Sequence, residues 1–117
     1  MSDEVDNFSI EHDRSGQQFL LRDGDKQIGE INYLAFGEDG KERILYHTGV
    51  NKEYEGRGLA GRLAKAALDD TVAEGLTVVP VCPYVRSYLK RHAEYAGHST
   101  PVRPEHLDVV PEEYREQ

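Results

Sequence analysis

The stretch Tyr54-Glu55-Gly56-Arg57-Gly58-Leu59-Ala60-Gly61 separates two halves of the chain that have different hydrophobic periods. Before it, short runs of apolar and polar residues alternate, which is the period of half-buried strands. These runs are Phe8–Asp13, Gln17–Arg22, Ile28–Phe36 and Glu42–Val50. Arg14-Ser15-Gly16 predicts a hairpin turn with Gly16 available for a positive φ. Asp23-Gly24-Asp25 and Gly37-Glu38-Asp39-Gly40 predict the next two turns. In the third run Ile31, Tyr33 and Ala35 share one face, and Asn32, Leu34 and Phe36 share the other. In the fourth, strict alternation puts Ile44, Tyr46, Thr48 and Val50 on one side. Four strands joined by short turns predict an antiparallel meander.

After the stretch, Ala60, Leu63, Ala64, Ala67, Leu68, Thr71 and Val72 recur at helical spacing, and Gly75 is placed to end that helix. Leu76–Val81 is a continuous apolar run, which predicts a buried strand. Pro83 suits the first turn of a second helix, read as running to about Tyr95 with Gly97 stopping it. Tyr84, Val85, Tyr88, Leu89 and His92 fall on one face of that helix. The predicted order is β-β-β-β-α-β-α, an α+β chain with a mixed, mostly antiparallel sheet. The strands flanking the first helix should pair in parallel through a right-handed crossover. Residues 1–7 are read as a disordered acidic start, 8–98 as one domain, and 99–117 as a proline-punctuated tail.

The chain has 117 residues, 22 acidic and 14 basic, with a formal net charge of −8. Such a surface repels a phosphate backbone, which argues against nucleic-acid binding. A single cysteine, Cys82, excludes an internal disulfide, and the simplest setting is a reducing cytoplasm. The N-terminal residues lack the pattern of a signal peptide, and no apolar run approaches a membrane span.

Three glycines between a strand and a helix strip side chains from a turn whose amides open a helix N-terminus. That arrangement attracts an anion such as a pyrophosphate. Gly56, Gly58 and Gly61 spell G-x-G-x-x-G, a dinucleotide fingerprint. Its position after four antiparallel strands weakens that reading, since the fingerprint belongs on the first strand of a parallel sheet. No Lys-Ser/Thr pair follows, so it is not a P-loop. The bland alternative is a tight turn and nothing more.

In its context, Glu55-Gly56-Arg57-Gly58-Leu59-Ala60 resembles the acetyl-CoA signature Q/R-x-x-G-x-G/A of the GCN5-related N-acetyltransferase (GNAT) superfamily. Gly58 and Ala60 match, and Glu55 departs from Gln/Arg. Three further segments resemble a small single-domain acetyltransferase-like subfamily: His47-Thr48-Gly49-Val50, Pro80-Val81-Cys82-Pro83-Tyr84-Val85, and Tyr88 to Tyr95, where Ala93 replaces a proline. Many members of that subfamily carry Glu where this chain has Gly49. The resemblance implies a minimal GNAT fold without the usual N-terminal helices or the C-terminal strand pair. It also implies strands that splay apart near Val50 and Val81, with Pro80 placed where pairing lapses. The implied ligand is acetyl-CoA, as co-substrate, held by Thr48, Val50 and the turn residues Glu55, Gly56, Arg57, Gly58, Leu59, Ala60 and Gly61. The acceptor would be an unidentified amine, a small molecule or a protein lysine.

Acetyl transfer needs a nucleophile and a proton source for the departing thiolate. Cys82 sits just before a helix opened by Pro83, and a helix N-terminus favours thiolate. It is a candidate acetyl carrier, against the alternative of a packed buried thiol. Tyr88 is a candidate acid toward the CoA thiolate, against the alternative of a core aromatic. His47 is a candidate base, against the alternative, which is favoured, of a hydrogen-bonded strand histidine. Arg57 and Arg62 are candidate phosphate contacts. His92 and His98 form no metal-ligand pattern with Cys82, so no metal is expected. A non-catalytic CoA- or acyl-CoA-binding module is the competing function, and a dinucleotide-binding protein ranks third.

Overall fold

The computed structural model describes residues 7–115. The expected disordered start therefore lies outside the described residues apart from Asn7, whose carbonyl accepts from Gly24 N–H (3.0 Å). The strands are β1 (Phe8–Asp13), β2 (Gln18–Asp23), β3 (Lys26–Phe36), β4 (Glu42–Val50) and β5 (Thr77–Pro80). They form one sheet in the order β1-β2-β3-β4-β5. The first four pair antiparallel, and β4 pairs with β5 in parallel. Helix α1 (Leu59–Ala73) makes the crossover, and α2 (Pro83–Arg91) follows β5.

The predicted strands and helices are present, and the first hairpin and the end of α2 differ locally from expectation. The positive φ of the first hairpin falls on Gln17 (55°), not Gly16. Helix α2 stops at Arg91, before the expected Tyr95, and a 3₁₀ segment, Ala93–His98, continues the chain. His92 causes the stop. Its Nδ1 lies 2.9 Å from the Tyr88 carbonyl, and its ring stacks on the Tyr88 ring at 3.8 Å. The imidazole thus takes the acceptor that the backbone N–H of a continuing helix would use.

One face of the sheet packs against α1 and α2. Its core joins Phe19, Leu21, Ile28, Ile31, Tyr33 and Leu45 to Leu63, Ala64, Ala67, Leu68, Val85 and Tyr88. Of the helical stripe read from the sequence, Leu63, Ala64, Ala67, Leu68 and Thr71 are buried, Ala60 and Val72 are partly exposed, and Leu59 is a buried addition at the start. The opposite face carries a second cluster of Ile44, Val79, Val81 and Val110. The residues set apart as a tail cover it. Ser99 bridges to Val78, and α3 (Pro104–Val109) places His106 with no exposed surface. His106 Nδ1 accepts from Arg103 N–H (3.0 Å), which leaves Nε2–H to donate to Glu42 (2.7 Å).

A bulge in β4 decides what faces where. Tyr33 pairs with Leu45 but Asn32 pairs with His47, so Tyr46 is the extra residue. Ile44, Tyr46, Thr48 and Val50 therefore do not share a face. Ile44 and Tyr46 belong to the second cluster, whereas Thr48 reaches Cys82 of the first. The pairing of β4 with β5 also ends at Leu45, opposite Pro80. Beyond it, the Val81 and Cys82 amides both donate to Leu45 O (3.1 and 3.0 Å). Among the described residues Tyr46–Val50 has no ladder partner on that side, which is the splay expected from the sequence.

Candidate active site

Helix α1 begins at a turn that only glycine adopts cheaply. Gly56 and Gly58 have φ of 84° and 73°, and a Cβ on either would meet nothing within 4 Å. Gly58 is the N-cap in left-handed conformation, with no side-chain cap. The first α1 bond runs from Arg62 N–H to Gly58 O (3.2 Å). The amides of Leu59, Ala60 and Gly61 precede it and have no intrahelical acceptor. They sit at the positive end of a 15-residue helix.

This turn walls a cavity of ≈ 140 Å³. Of the residues named for the ligand, Val50, Glu55, Gly56, Gly58, Leu59, Ala60 and Gly61 line it. Arg57 does not; its guanidinium lies over the Tyr54 ring, 5.2 Å from the centroid. Tyr54 and Tyr84 are lining residues that the sequence reading did not assign to the ligand. Tyr54 is anchored by its hydroxyl, which donates to Asp23 (2.6 Å). Tyr84 arrives because α2 packs on α1 at Gly61, where a Cβ would stand 3.6 Å from the Tyr84 hydroxyl oxygen and 3.9 Å from Tyr88 Cε2. Arg62 lies over the Phe8 ring (5.8 Å) and is not part of the cavity wall.

Thr48 and Cys82 meet where the strands part. The Cys82 thiol donates to Thr48 Oγ1 (3.2 Å) and is 4% exposed. Its hydrogen-bond partner is a hydroxyl, not a base. Tyr88 lies a turn and a half further along α2, 7% exposed, flanked by the rings of Tyr84, His92 and Tyr95. Burial raises its hydroxyl above the usual tyrosine range, so it keeps its proton at neutral pH. His47 lies on the far face of β4 from Cys82, 3.3 Å from Glu30 and against the Tyr114 ring (4.6 Å).

The residues of the GCN5-related N-acetyl-transferase family model match this chain over 18–98, which takes in the glycine turn, Cys82 and Tyr88. The chain belongs to that family. Among its relatives, protein NATD1 of Gallus gallus is 39% identical over 98 residues, covering 79% of this chain and 84% of its own. Protein NATD1 of Homo sapiens is 40% identical over 87 residues, covering 71% and 73%. The solution structure of a GCN5-like protein from Staphylococcus aureus superposes with a TM-score of 0.64 at 22% identity. It covers 87% of this chain and 97% of that one, and it confirms the GNAT fold. In this family member the four-stranded meander reaches α1 through a 3₁₀ turn, Lys52–Tyr54, and among the described residues no helix between β1 and β4 is longer than a 3₁₀ turn.

A second grouping lies apart from this site. His12, Asp70 and Glu74 bring ligand-type atoms within 4.8 Å of one another. Their carboxylates are already engaged. Arg43, 5% exposed, reaches Asp70 (3.1 Å) and Glu74 (3.3 Å), and Arg14 reaches Glu74 (2.7 Å). This is an ion-pair network tying β4 to α1. No described helix is long and apolar enough to cross a membrane.

Proposed function

We propose that this chain binds acetyl-CoA on the Gly56–Gly61 turn and transfers its acetyl group to an amine. The observation that carries the reading is the junction of two features. Three helix-initial amides without intrahelical acceptors belong to residues lining a glycine-walled cavity, and Val50 in that wall lies two residues beyond Thr48, which meets Cys82 where β4 and β5 part. The amides of Leu59, Ala60 and Gly61 suit a pyrophosphate. Val50 and Leu59 offer apolar contact, and the unpaired edge of β4 offers backbone groups to a pantetheine amide. Arg57 is a cation at the lip of the turn. Glu55 works against the phosphates, so its contribution must come through the backbone.

Cys82 and Thr48 are assigned to the carbonyl end of the ligand. Both carry a donor hydrogen, and both can turn it toward a thioester oxygen as negative charge develops there. Nothing described near Cys82 Sγ would remove its proton, which favours donation over nucleophilic attack. Tyr88 is assigned as proton donor to the departing sulfur.

The test begins with ligand-dependent melting. Acetyl-CoA and CoA should raise Tm, and NAD should not; stabilisation by NAD alone refutes the assignment. Cys82→Ser keeps a donor and should retain most of the transfer rate, whereas Cys82→Ala should lose about 10- to 100-fold, the scale of one donor hydrogen bond to developing charge. Acetyl-Cys82 trapped by mass spectrometry without an acceptor, together with an inactive Cys82→Ser, would make the thiol a nucleophile instead. Acetyl-CoA binding without turnover on any amine would leave a binding module.

A further inference from the structure

A second cavity, of ≈ 430 Å³, lies at the end of α1 opposite the glycine turn. That volume is within the range of about 300–1,000 Å³ at which proteins hold small ligands. Gln17 from the first hairpin, Asp39 from the β3–β4 turn and Leu76 from the chain leaving α1 line it. Its wall sets the carboxylates of Asp39, Glu42 and Glu74 against the guanidiniums of Arg14 and Arg43. Both guanidiniums are engaged. Arg43, 5% exposed, lies over the Tyr33 ring (4.5 Å) and reaches Asp70 and Glu74. Arg14 meets both oxygens of Glu74 (3.4 and 2.7 Å).

The acceptors are not all used. Arg103 and His106 both bond Glu42 through Oε1 (3.4 and 2.7 Å), and among the described residues Glu42 Oε2 has no partner. The Asp39 carboxylate and the Gln17 side-chain amide have none there either. Gln17 and Asp39 are held at φ of 55° and 60°, and among the described residues they are the two non-glycine residues with positive φ. Both of these strained positions belong to this one wall. The cavity also sits at the negative end of the α1 dipole.

We infer that this cavity is a binding site for a small molecule bearing a guanidinium group, separate from the glycine turn and independent of what binds there. The open groups at Asp39, Glu42 and Gln17 offer acceptor oxygens, and a guanidinium presents five N–H donors in one plane. Carboxylates take such a fork side by side, which fixes its orientation as well as its charge. Ala35 and Leu76 in the same wall offer apolar surface to the stem of the ligand. Arg14 shows the mode within the chain, since its own guanidinium lies across both oxygens of Glu74. Arg14 is 65% exposed, so its ion pair is screened by solvent and contributes little. It is a like charge beside the incoming ligand, and it competes with that ligand for the carboxylates.

The test is a titration of the isotope-labelled protein with Nα-acetyl-argininamide, followed by backbone amide chemical shifts. Nα-acetyl-citrullinamide, which has the same shape and no charge, is the control. The arginine compound should give saturable shifts at Gln17, Ala35, Asp39 and Gly40 and leave Gly56–Gly61 unmoved. The citrulline compound should bind at least about 5-fold more weakly, the scale of one lost charge pair. Asp39→Asn removes the open charge and keeps a residue type that tolerates positive φ, so it should fold and weaken arginine binding about 2- to 5-fold. Arg14→Ala should tighten binding by a similar factor, because the carboxylates lose a competing cation. An anion site would respond to Arg14→Ala with the opposite sign. Shifts that fail to saturate or that scatter over the acidic surface overturn the inference. So do equal affinities for the two compounds, an Asp39→Asn protein that binds as tightly as wild type, and weaker binding by Arg14→Ala.

Discussion

Replacing Gly61 and Gly58 separately by alanine should move stability in opposite directions and ligand affinity in the same one. Gly61 is the third residue of α1, at negative φ, and the nearest atoms to an added Cβ are the Tyr84 hydroxyl at 3.6 Å and Tyr88 Cε2 at 3.9 Å. Those are ordinary contact distances, so the methyl fits the free protein. Alanine in place of a helical glycine contributes about 0.5–1 kcal/mol, which for a domain of this size raises Tm by about 2–6 °C. The same methyl stands in the cavity wall between α1 and Tyr84, where the ligand must pass. Overpacking by one methyl costs about 1–3 kcal/mol, or a roughly 5- to 150-fold weaker Kd. Gly58 differs: its φ is 73°, and nothing lies within 4 Å to compensate a side chain. Alanine there carries the left-handed penalty of about 1–2 kcal/mol and should lower Tm while also disturbing the amides that follow. Thermal melting of the ligand-free proteins and calorimetric titration with acetyl-CoA give both numbers. A Gly61→Ala protein that melts lower than wild type, or that binds acetyl-CoA as tightly, would refute this account of the turn.

Two further outcomes follow from the polar contacts. The Glu74 carboxyl is held down from its usual 4.5 to about 2, first by its bond to Arg14, then by Asp70, with Arg43 adding to it. A carboxyl lowered on folding contributes stability that is complete above about pH 4.5 and is lost as pH falls toward 2. Glu74→Gln should therefore lower Tm at neutral pH and flatten its fall between those values; wild-type and variant curves that run parallel would contradict the network. Tyr95 donates its hydroxyl to the Asp69 carboxylate and so ties the 3₁₀ segment to α1. Tyr95→Phe should cost about 1 kcal/mol, read as a lower urea midpoint at unchanged slope, and an unchanged midpoint would show that the bond contributes nothing.

The strands and α1 were legible because each obeys one period over its whole length. Five of the seven residues that the spacing marks, Leu63, Ala64, Ala67, Leu68 and Thr71, are buried, while Ala60 and Val72 at the two ends are partly exposed. The end of α2 was not legible, since nothing in residue type announces that the His92 imidazole will take the Tyr88 carbonyl. The bulge at Tyr46 was hidden for a sharper reason. Alternation in ERILYHTGV is unbroken in the sequence, and only the pairing with Asn32 and Tyr33 reveals the extra residue. Without it, Thr48 is placed on the same side as Ile44, and its meeting with Cys82 cannot be foreseen. Seven of the nine residues read as ligand contacts line the cavity, because that part of the reading rested on a contiguous turn. Tyr84 escaped because it comes from a different helix, brought in by close packing at Gly61. His47 was read as a candidate base, but its neighbour Glu30 escaped because the two lie on adjacent strands and are brought together by register alone.

The second cluster on the far face of the sheet bears on where this protein can be cut. The segment shared with the family ends at residue 98, but Ile44, Val79 and Val81 depend for their cover on Val110, Val102, Leu107 and Tyr114. The segment matched by the family and the folding unit are therefore not the same stretch of chain. A fragment trimmed to the shared segment would keep the glycine turn, Cys82 and Tyr88 and yet present a bare apolar sheet face to solvent, inviting association with whatever apolar surface it meets.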